Sequence, residues 1–297
     1  MTAMIIANLV GGLGNQMFQY ACGRACALDA GATLAVSTGM FRGYALHQGP
    51  ELMRVFALDL AEASTAALHQ ALGWQSPVPL RRLLGRPVLR GLAKRSFVAE
   101  PHFQFWPGLR VRASGTCYLQ GYWQSERYFA CHAQAIRDDF GFRHAALGLN
   151  AELAQRIGRC EAVSLHVRRG DYVSNPRAQA LHGCCPPQYY EAALRHVLER
   201  VPQATVFAFS DDPQWVAQTL QPQHPGLVIV DHNHGPESYN DMRLMALCRH
   251  HIIANSSFSW WGAWLDARPD KIVVAPAQWF ATDRDTTDLV PAAWTRL

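Results

Sequence analysis

The sequence predicts an α/β protein built on parallel sheets. Three observations carry this. Five strand-like runs in the second half alternate strictly with helix-like runs, the pattern of a parallel sheet with right-handed crossovers. The N-terminus opens as strand, Gly-rich turn, helix and strand, a βαβ unit. Polar residues also gather directly after four consecutive strands of the second half, where open parallel sheets bind ligands. With 297 residues the chain holds one large domain or two of ordinary size. We place the division near residues 141–160, giving an N-terminal α/β domain over 1–150 and a C-terminal one over 151–297.

Met4 to Leu9 reads as a short buried strand. Gly11-Gly12-Leu13-Gly14 forms the turn, and Asn15 caps a helix running to about Asp29. Thr33 to Val36 is the second strand. Residues 37–115 are rich in Pro, Gly and Arg, with helical pieces over 61–72 and 80–94. Thr116 to Tyr122 alternates like a strand, and Ser125 to Phe140 reads as a helix. The later strands are Ala162–Val167, Thr205–Phe209, Leu227–Val230, His251–Ala254 and Lys271–Val274. Helices fall near 187–200, 213–220, 238–248 and 257–267.

Composition narrows the function. The hydrophobic fraction of 49% and charged fraction of 17% are those of a globular protein. A net charge of +4 is too small and too scattered for a nucleic-acid partner, but it suits an anionic ligand. Met1 to Leu9 lacks the basic start of a signal peptide. No apolar run reaches the ~18 residues that span a bilayer. The chain is therefore expected to be cytoplasmic, and to meet any membrane glycolipid peripherally, from the side. The eight cysteines lack paired zinc-like spacing and read mainly as small buried hydrophobes in a reducing compartment.

Four motifs carry chemistry. In Val10-Gly-Gly-Leu-Gly-Asn-Gln-Met-Phe-Gln-Tyr20, the turn either offers backbone N–H groups to a phosphate or is merely tight. Met17 replaces the third small residue of a dinucleotide fingerprint, and no acid ends the second strand. In His166-Val-Arg-Arg-Gly-Asp-Tyr172, two arginines follow a buried strand and need anions or carboxylates. A guanidinium forks onto a diphosphate, and an Arg169–Asp171 ion pair is the structural alternative; we expect one arginine for ligand and one for structure. In Phe209-Ser-Asp-Asp-Pro213, one acid caps a helix and the other binds ligand or supports an arginine. Asn255-Ser-Ser257 opens a helix after a strand, with hydroxyls available for phosphate. Trp260 and Trp261 read as core, Asp241 as an acid near a helix start, and His250 and His251 as the end of a turn. Asp231-His-Asn-His234 reads as a strand-end turn rather than a metal site. Asp283-Arg-Asp285 has metal-binding spacing but reads as a solvated loop.

Taken together, VGGLGNQMFQYA, HVRRGDY, FSDDP, GYWQSERYF over 121–129 and HHIIANSSFSWWGAWL resemble the bacterial and animal α-1,2-fucosyltransferases. The H-x-R-R element is shared more widely among α-1,2-, α-1,6- and protein O-fucosyltransferases. The resemblance implies two Rossmann-like domains in the B-type glycosyltransferase fold, with the N-terminal one on the acceptor side and GDP-fucose held mainly by the C-terminal one. It implies transfer of L-fucose to the 2-hydroxyl of a terminal β-galactoside on an oligosaccharide or glycan, with inversion and no cofactor or obligatory metal. By position, Arg168 resembles the arginine on the donor diphosphate. His166 lies beside the nucleotide, Asp241 matches an acid reading the guanine edge, and Ser256 and Ser257 match phosphate contacts. Gly14 and Asn15, at the Gly-rich turn, approach the donor from the other domain. The glutamate that serves α-1,6-type relatives as base has no counterpart in Tyr172-Val-Ser-Asn-Pro-Arg177. Asp171, the acid nearest Arg168 in sequence, is the first candidate. A non-catalytic glycan-binding relative is disfavoured by Arg168. An NAD-dependent oxidoreductase is disfavoured by the incomplete fingerprint.

Overall fold

The computed structural model describes residues 3–42, 48–109 and 115–297. The chain divides into two compact units, Met1–His144 with Asp285–Leu289, and Ala145–Arg284 with Val290–Leu297.

The first unit is a five-stranded parallel sheet in the order β3-β2-β1-β5-β4. Its strands are β1 (Met4–Asn8), β2 (Thr33–Ser37), β3 (Ala61–Glu62), β4 (Phe97–Ala99) and β5 (Thr116–Gln120). Its helices are α1 (Leu13–Ala30), α2 (Leu52–Val55), α3 (Thr65–Leu72), α4 (Val78–Leu84) and α5 (Ala133–Asp139). Two apolar clusters pack against the sheet among the described residues. Cys22, Cys26 and Ala27 of α1 pack with Ile5, Leu119 and Trp123. Ala71 and Leu72 of α3 and Leu84 of α4 pack with Ile6, Phe97 and Tyr118. A Cβ on Gly23 would stand 2.9 Å from the Ala7 side chain, so this glycine lets α1 lie close on β1.

The second unit has six parallel strands in the order β11-β10-β9-β6-β7-β8. They are β6 (Ala162–Val167), β7 (Thr205–Ser210), β8 (Val228–Val230), β9 (His250–Ile252), β10 (Val273–Ala275) and β11 (Thr295–Arg296). The helices are α6 (Leu149–Ile157), α7 (Gly170–Ser174), α8 (Pro176–His182), α9 (Pro187–Leu198), α10 (Pro213–Thr219), α11 (Tyr239–Leu247) and α12 (Ser257–Leu265). Every residue of β6 is buried, as expected of a strand covered on both faces. The chain runs outward from β6 through β7 to β8, then returns to lay β9 on the other side of β6. That is the strand order of a doubly wound dinucleotide-type sheet, and its switch point lies between β6 and β9.

Several expectations need correction. Asn15 is not the cap of α1. The helix starts at Leu13 behind Gly12, which has no capping side chain. Glutamines of α1 tie the turn down instead, as described below. The helix expected over 125–140 breaks into 3-10 turns at Glu126–Tyr128 and Ala130–His132 before α5. The break falls where Phe129 leaves helical geometry at φ −138° and ψ 8°. The 80–94 helix stops at Leu84, and a 3-10 segment over Pro87–Leu92 follows, because Gly85 and Pro87 interrupt it. Trp260 and Trp261 are fully buried, their rings edge-on at 5.0 Å. None of the eight cysteines forms a disulfide among the described residues, and five are buried.

Candidate active site

The end of β6 is held by charge. Arg168 Nη2 donates to Asp171 Oδ1 at 2.6 Å, and Arg168 Nη1 meets Asp211 Oδ2 at 2.9 Å. Burial opposes the Arg168 charge, but the two carboxylates more than offset it and fix the guanidinium in its charged form. Its plane also lies 5.5 Å from the Tyr172 ring centre. The expected Arg169–Asp171 pair is replaced by this one. The reason is local: α7 begins at Gly170, so Asp171 falls one helical turn beyond Arg168, at i+3.

Arg169 is built into the fold. Its Nε donates to Asp212 Oδ2 at 3.0 Å, and its guanidinium lies 4.6 Å over the Trp215 ring. Asp212 also caps α10, its Oδ1 accepting the Trp215 N–H at 3.1 Å. Asp211 serves both arginines, accepting the Arg169 N–H on Oδ1 at 2.8 Å while Oδ2 faces Arg168. A Cβ on Gly170 would stand 2.6 Å from that Oδ2, so only glycine lets the acid approach.

His166, the penultimate residue of the same strand, is buried against Phe258, ring centres 5.9 Å apart. Burial first, and then Arg168, push its pKa down to about 3, so the imidazole is neutral at physiological pH. Its Nδ1 is buried and has no hydrogen-bond partner among the described residues. A buried ring nitrogen without a partner is costly, and a ligand or water hydrogen bond at this point would satisfy it.

Across the switch point, Ser256 is the N-cap of α12, its Oγ accepting the Phe258 N–H at 3.3 Å, and Ser257 is the first helical residue. The Ser256 hydroxyl keeps its own O–H to donate. Asn255 is structural. Its Nδ2 donates to the carbonyls of His182, Gly183 and Trp279. Tyr172 ties the two strand ends together, its hydroxyl donating to the Asn255 carbonyl at 3.3 Å. His251 is no turn end but the middle of a fully buried chain: Ser164 Oγ lies 2.9 Å from its Nδ1, and Asp266 Oδ2 lies 3.1 Å from its Nε2. The trio has the residue types of a hydrolase triad, but it is sealed inside the sheet.

Asp241 stands in the first turn of α11 and accepts from Asn233 Nδ2 at 2.7 Å. Asn233 and His232 both bond to Asn150 of α6. Burial raises the Asp241 pKa to about 7, only partly countered by that hydrogen bond. An acid held so far above its usual range is short of donors. Within the Asp231-His-Asn-His234 segment, Asn233 thus supports Asp241; no group of three or more His, Cys, Asp or Glu placed to hold a metal ion is found among the described residues. Asp283 is exposed, and Asp285 accepts the Thr287 N–H at 2.9 Å.

In the first unit, the turn after β1 is held by neutral amides. Gln19 Oε1 accepts the Val10 N–H at 2.9 Å. Gln16 Nε2 donates to the Gly11 and Gly49 carbonyls, and its Oε1 accepts the Glu51 N–H. Gly11 has φ +85°, and a Cβ there would also strike the Asn15 side chain. Gly14 is buried in the first turn of α1. Asn15 Oδ1 accepts from Gln124 Nε2 at 2.6 Å, which fixes the amide's orientation with Nδ2 beside Gly11. Gln124 follows Trp123, the one described non-glycine residue at positive φ, +55°. Glu100 holds that strained turn by accepting the N–H groups of Tyr122 and Trp123. Sequence reasoning passed over Gln16, Gln19, Gln124 and Glu100. The only available signal was three glutamines in the two motifs that follow β1 and β5.

Residues 92–297 match the family described as Glycosyl transferase family 11. The chain belongs to that family. This glycosyltransferase is 34% identical over 298 residues to an alpha-1,2-colitosyltransferase of Escherichia coli, with 99% of each chain covered. It is 31% identical to the O-antigen biosynthesis glycosyltransferase WbnK of Escherichia coli, over 97% of this chain and 99% of that one. Among solved structures it resembles fucosyltransferase NodZ from Bradyrhizobium, with a TM-score of 0.53, 14% identity and coverage of 88% and 92%. A structure of NodZ alpha-1,6-fucosyltransferase co-crystallized with GDP gives a TM-score of 0.51 at 15% identity, covering 89% and 92%. At such identities the likeness establishes the fold, which is the B-type glycosyltransferase fold with two Rossmann-like units.

Proposed function

We propose that this glycosyltransferase moves L-fucose from GDP-fucose to the 2-hydroxyl of a terminal β-galactoside, with inversion and without a divalent ion. The observation that carries the reading is Arg168: a charged guanidinium at the switch point of a doubly wound sheet, braced on two carboxylates beside an unsatisfied His166. Departure of GDP leaves negative charge on the diphosphate, and a preorganised guanidinium stabilises it. The α12 N-terminus adds the hydroxyls of Ser256 and Ser257 and a favourable dipole. These groups supply the positive potential that a divalent ion supplies elsewhere. Asp241, short of donors, suits the adjacent N1–H and N2–H of guanine. Gly14 and the Asn15 amide serve as further donor contacts.

Inversion requires the acceptor hydroxyl to attack the face opposite the diphosphate while a base takes its proton. Asp171 is the candidate in sequence, yet its carboxylate bonds Arg168 at 2.6 Å, which favours a bracing role over that of base. Asp171→Asn separates the two. A base variant binds GDP normally and turns over slowly, whereas a brace variant loses GDP affinity as well.

The relationship to an alpha-1,2-colitosyltransferase favours one second reading, a donor carrying colitose, which is 3-deoxy-L-fucose. The test offers both GDP-sugars with a panel of terminal galactosides, in EDTA, and reads the product linkage by NMR. We expect an α-linked fucosyl group on the galactose 2-hydroxyl. Transfer from the 3-deoxy donor alone would replace the fucosyl reading, and transfer from neither would refute both. Activity lost to EDTA and restored by Mn²⁺ would return Asp283 and Asp285 as ligands.

A further inference from the structure

The net charge of +4 is not scattered. Residues 63–99 hold five arginines and a lysine and no Asp or Glu, so this one segment exceeds the net charge of the whole chain. Arg81 is spent inside, where it donates to Ser37 and Tyr118. Arg90 donates to the Pro101 carbonyl. Arg82 is exposed and donates through Nη2 to the Met40 and Arg42 carbonyls, which leaves its charge unpaired. Arg86, Lys94 and Arg95 are exposed, and none of these four cations forms an ion pair among the described residues.

Large apolar side chains stand exposed among them. Val88 is 92% exposed, Leu92 67%, Trp74 65% and Leu83 41%. These residues are joined locally. Gln75 Nε2 donates to the Leu92 carbonyl while Gln75 Oε1 accepts the Lys94 N–H, which brings the Trp74 turn to the end of the 3-10 segment. Arg86 N–H donates to the Leu83 carbonyl, and Leu89 N–H to the Arg86 carbonyl, which joins α4 to the same segment. Apolar side chains this exposed gain nothing from water.

We propose that this face of the N-terminal unit docks on an anionic lipid surface. The charge complementarity is plain, because the segment carries cations without a single acid. The exposed Trp74, Leu83, Val88 and Leu92 decide between classes of polyanion. A nucleic acid would neutralise the cations but give Val88 and Leu92 no apolar phase to enter. The boundary between headgroups and acyl chains satisfies both, and tryptophan is at home there. No helix among the described residues is long and apolar enough to cross a membrane; the contact proposed is surface docking through this segment. The inference is independent of the donor and acceptor proposed above.

The test sediments the full chain with vesicles of phosphatidylglycerol and phosphatidylethanolamine, and with vesicles of phosphatidylcholine alone, at about 0.1 M salt. Two variants accompany it. R82Q/R86Q/K94Q/R95Q removes the charge, and V88D/L92D removes the apolar contact; a thermal melt confirms that each folds. We expect partition onto the anionic vesicles only, at least ~100-fold weaker for the charge variant. V88D/L92D should also bind weakly, and both variants should keep wild-type turnover on a soluble acceptor. The proposal fails if the wild-type chain ignores anionic vesicles, if both variants bind as the wild type does, or if duplex DNA at the same salt binds as tightly as the vesicles.

Discussion

The turn after β1 and the turn after β6 occupy equivalent places in two parallel sheets, yet they are built from opposite materials. After β1 the backbone is held by neutral amides, with Gln16 and Gln19 of α1 folding back onto it and Gln124 reaching Asn15. After β6 it is held by ions: Arg168 and Arg169 grip Asp171, Asp211 and Asp212. An amide bond is indifferent to pH and salt. An ion pair is tunable, and its members can exchange partners with an anionic ligand. The amide-built turn therefore suits a rigid wall, and the ion-built turn suits the place where charge arrives and leaves.

The comparison breaks most readily at Gln16. This side chain is fully buried and makes three hydrogen bonds. Gln16→Ala leaves their backbone partners unsatisfied, at a cost of roughly 3 kcal/mol in stability. Denaturant titration should show it, with Asp211→Ala costing less because its partners remain partly in water. Equal losses would erase the distinction between the two turns.

A smaller effect sharpens it at Gln124. Its amide donates to Asn15 and so fixes the orientation of the Asn15 amide. Gln124→Glu offers only acceptors and turns the Asn15 amide around. We expect kcat to fall roughly tenfold, the scale of one neutral hydrogen bond, with the melting temperature nearly unchanged. Gln124→Glu at wild-type kcat would make Asn15 a bystander.

The third effect is a pH dependence. Burial holds Asp241 protonated up to about pH 7. If guanine donates to the ionised form, GDP binding expels a proton, and affinity rises with pH through that value. GDP should bind up to ~10-fold more weakly near pH 6 than near pH 8, beyond the change shown by Asp241→Asn. Parallel profiles in the two proteins would place guanine recognition elsewhere. Stability has the opposite sign: the folded acid keeps a proton that the unfolded chain loses above its ordinary value of 3.8, so native-state stability falls as pH rises from there to about 7.

Much of this was legible in the sequence, for a physical reason. Strands β6 and β7 are almost wholly buried, so they read as mainly apolar runs, with Ser164 and His166 the polar residues inside β6, and the polar residues that follow them mark the ligand end of the sheet. What did not read was partnership. Asp211 lies 42 residues from Arg169, and Gln124 lies 109 from Asn15, distances at which spacing says nothing. Asp171 was assigned the wrong arginine because α7 was not foreseen, and the i+3 pairing follows from that helix. The basic face at 82–95 escaped notice because net charge counts residues without placing them.

The central claim is that Arg168 is the working cation and Arg169 a strut. Arg168→Ala and Arg169→Ala, compared for turnover and melting temperature, test it most directly. The account predicts that Arg168→Ala melts near wild type and turns over at least ~100-fold more slowly, the loss of one preorganised donor. It predicts the reverse for Arg169→Ala: a melting temperature lower by a few degrees, and turnover within about fivefold of wild type. A folded Arg168→Ala enzyme with near-normal turnover would contradict it.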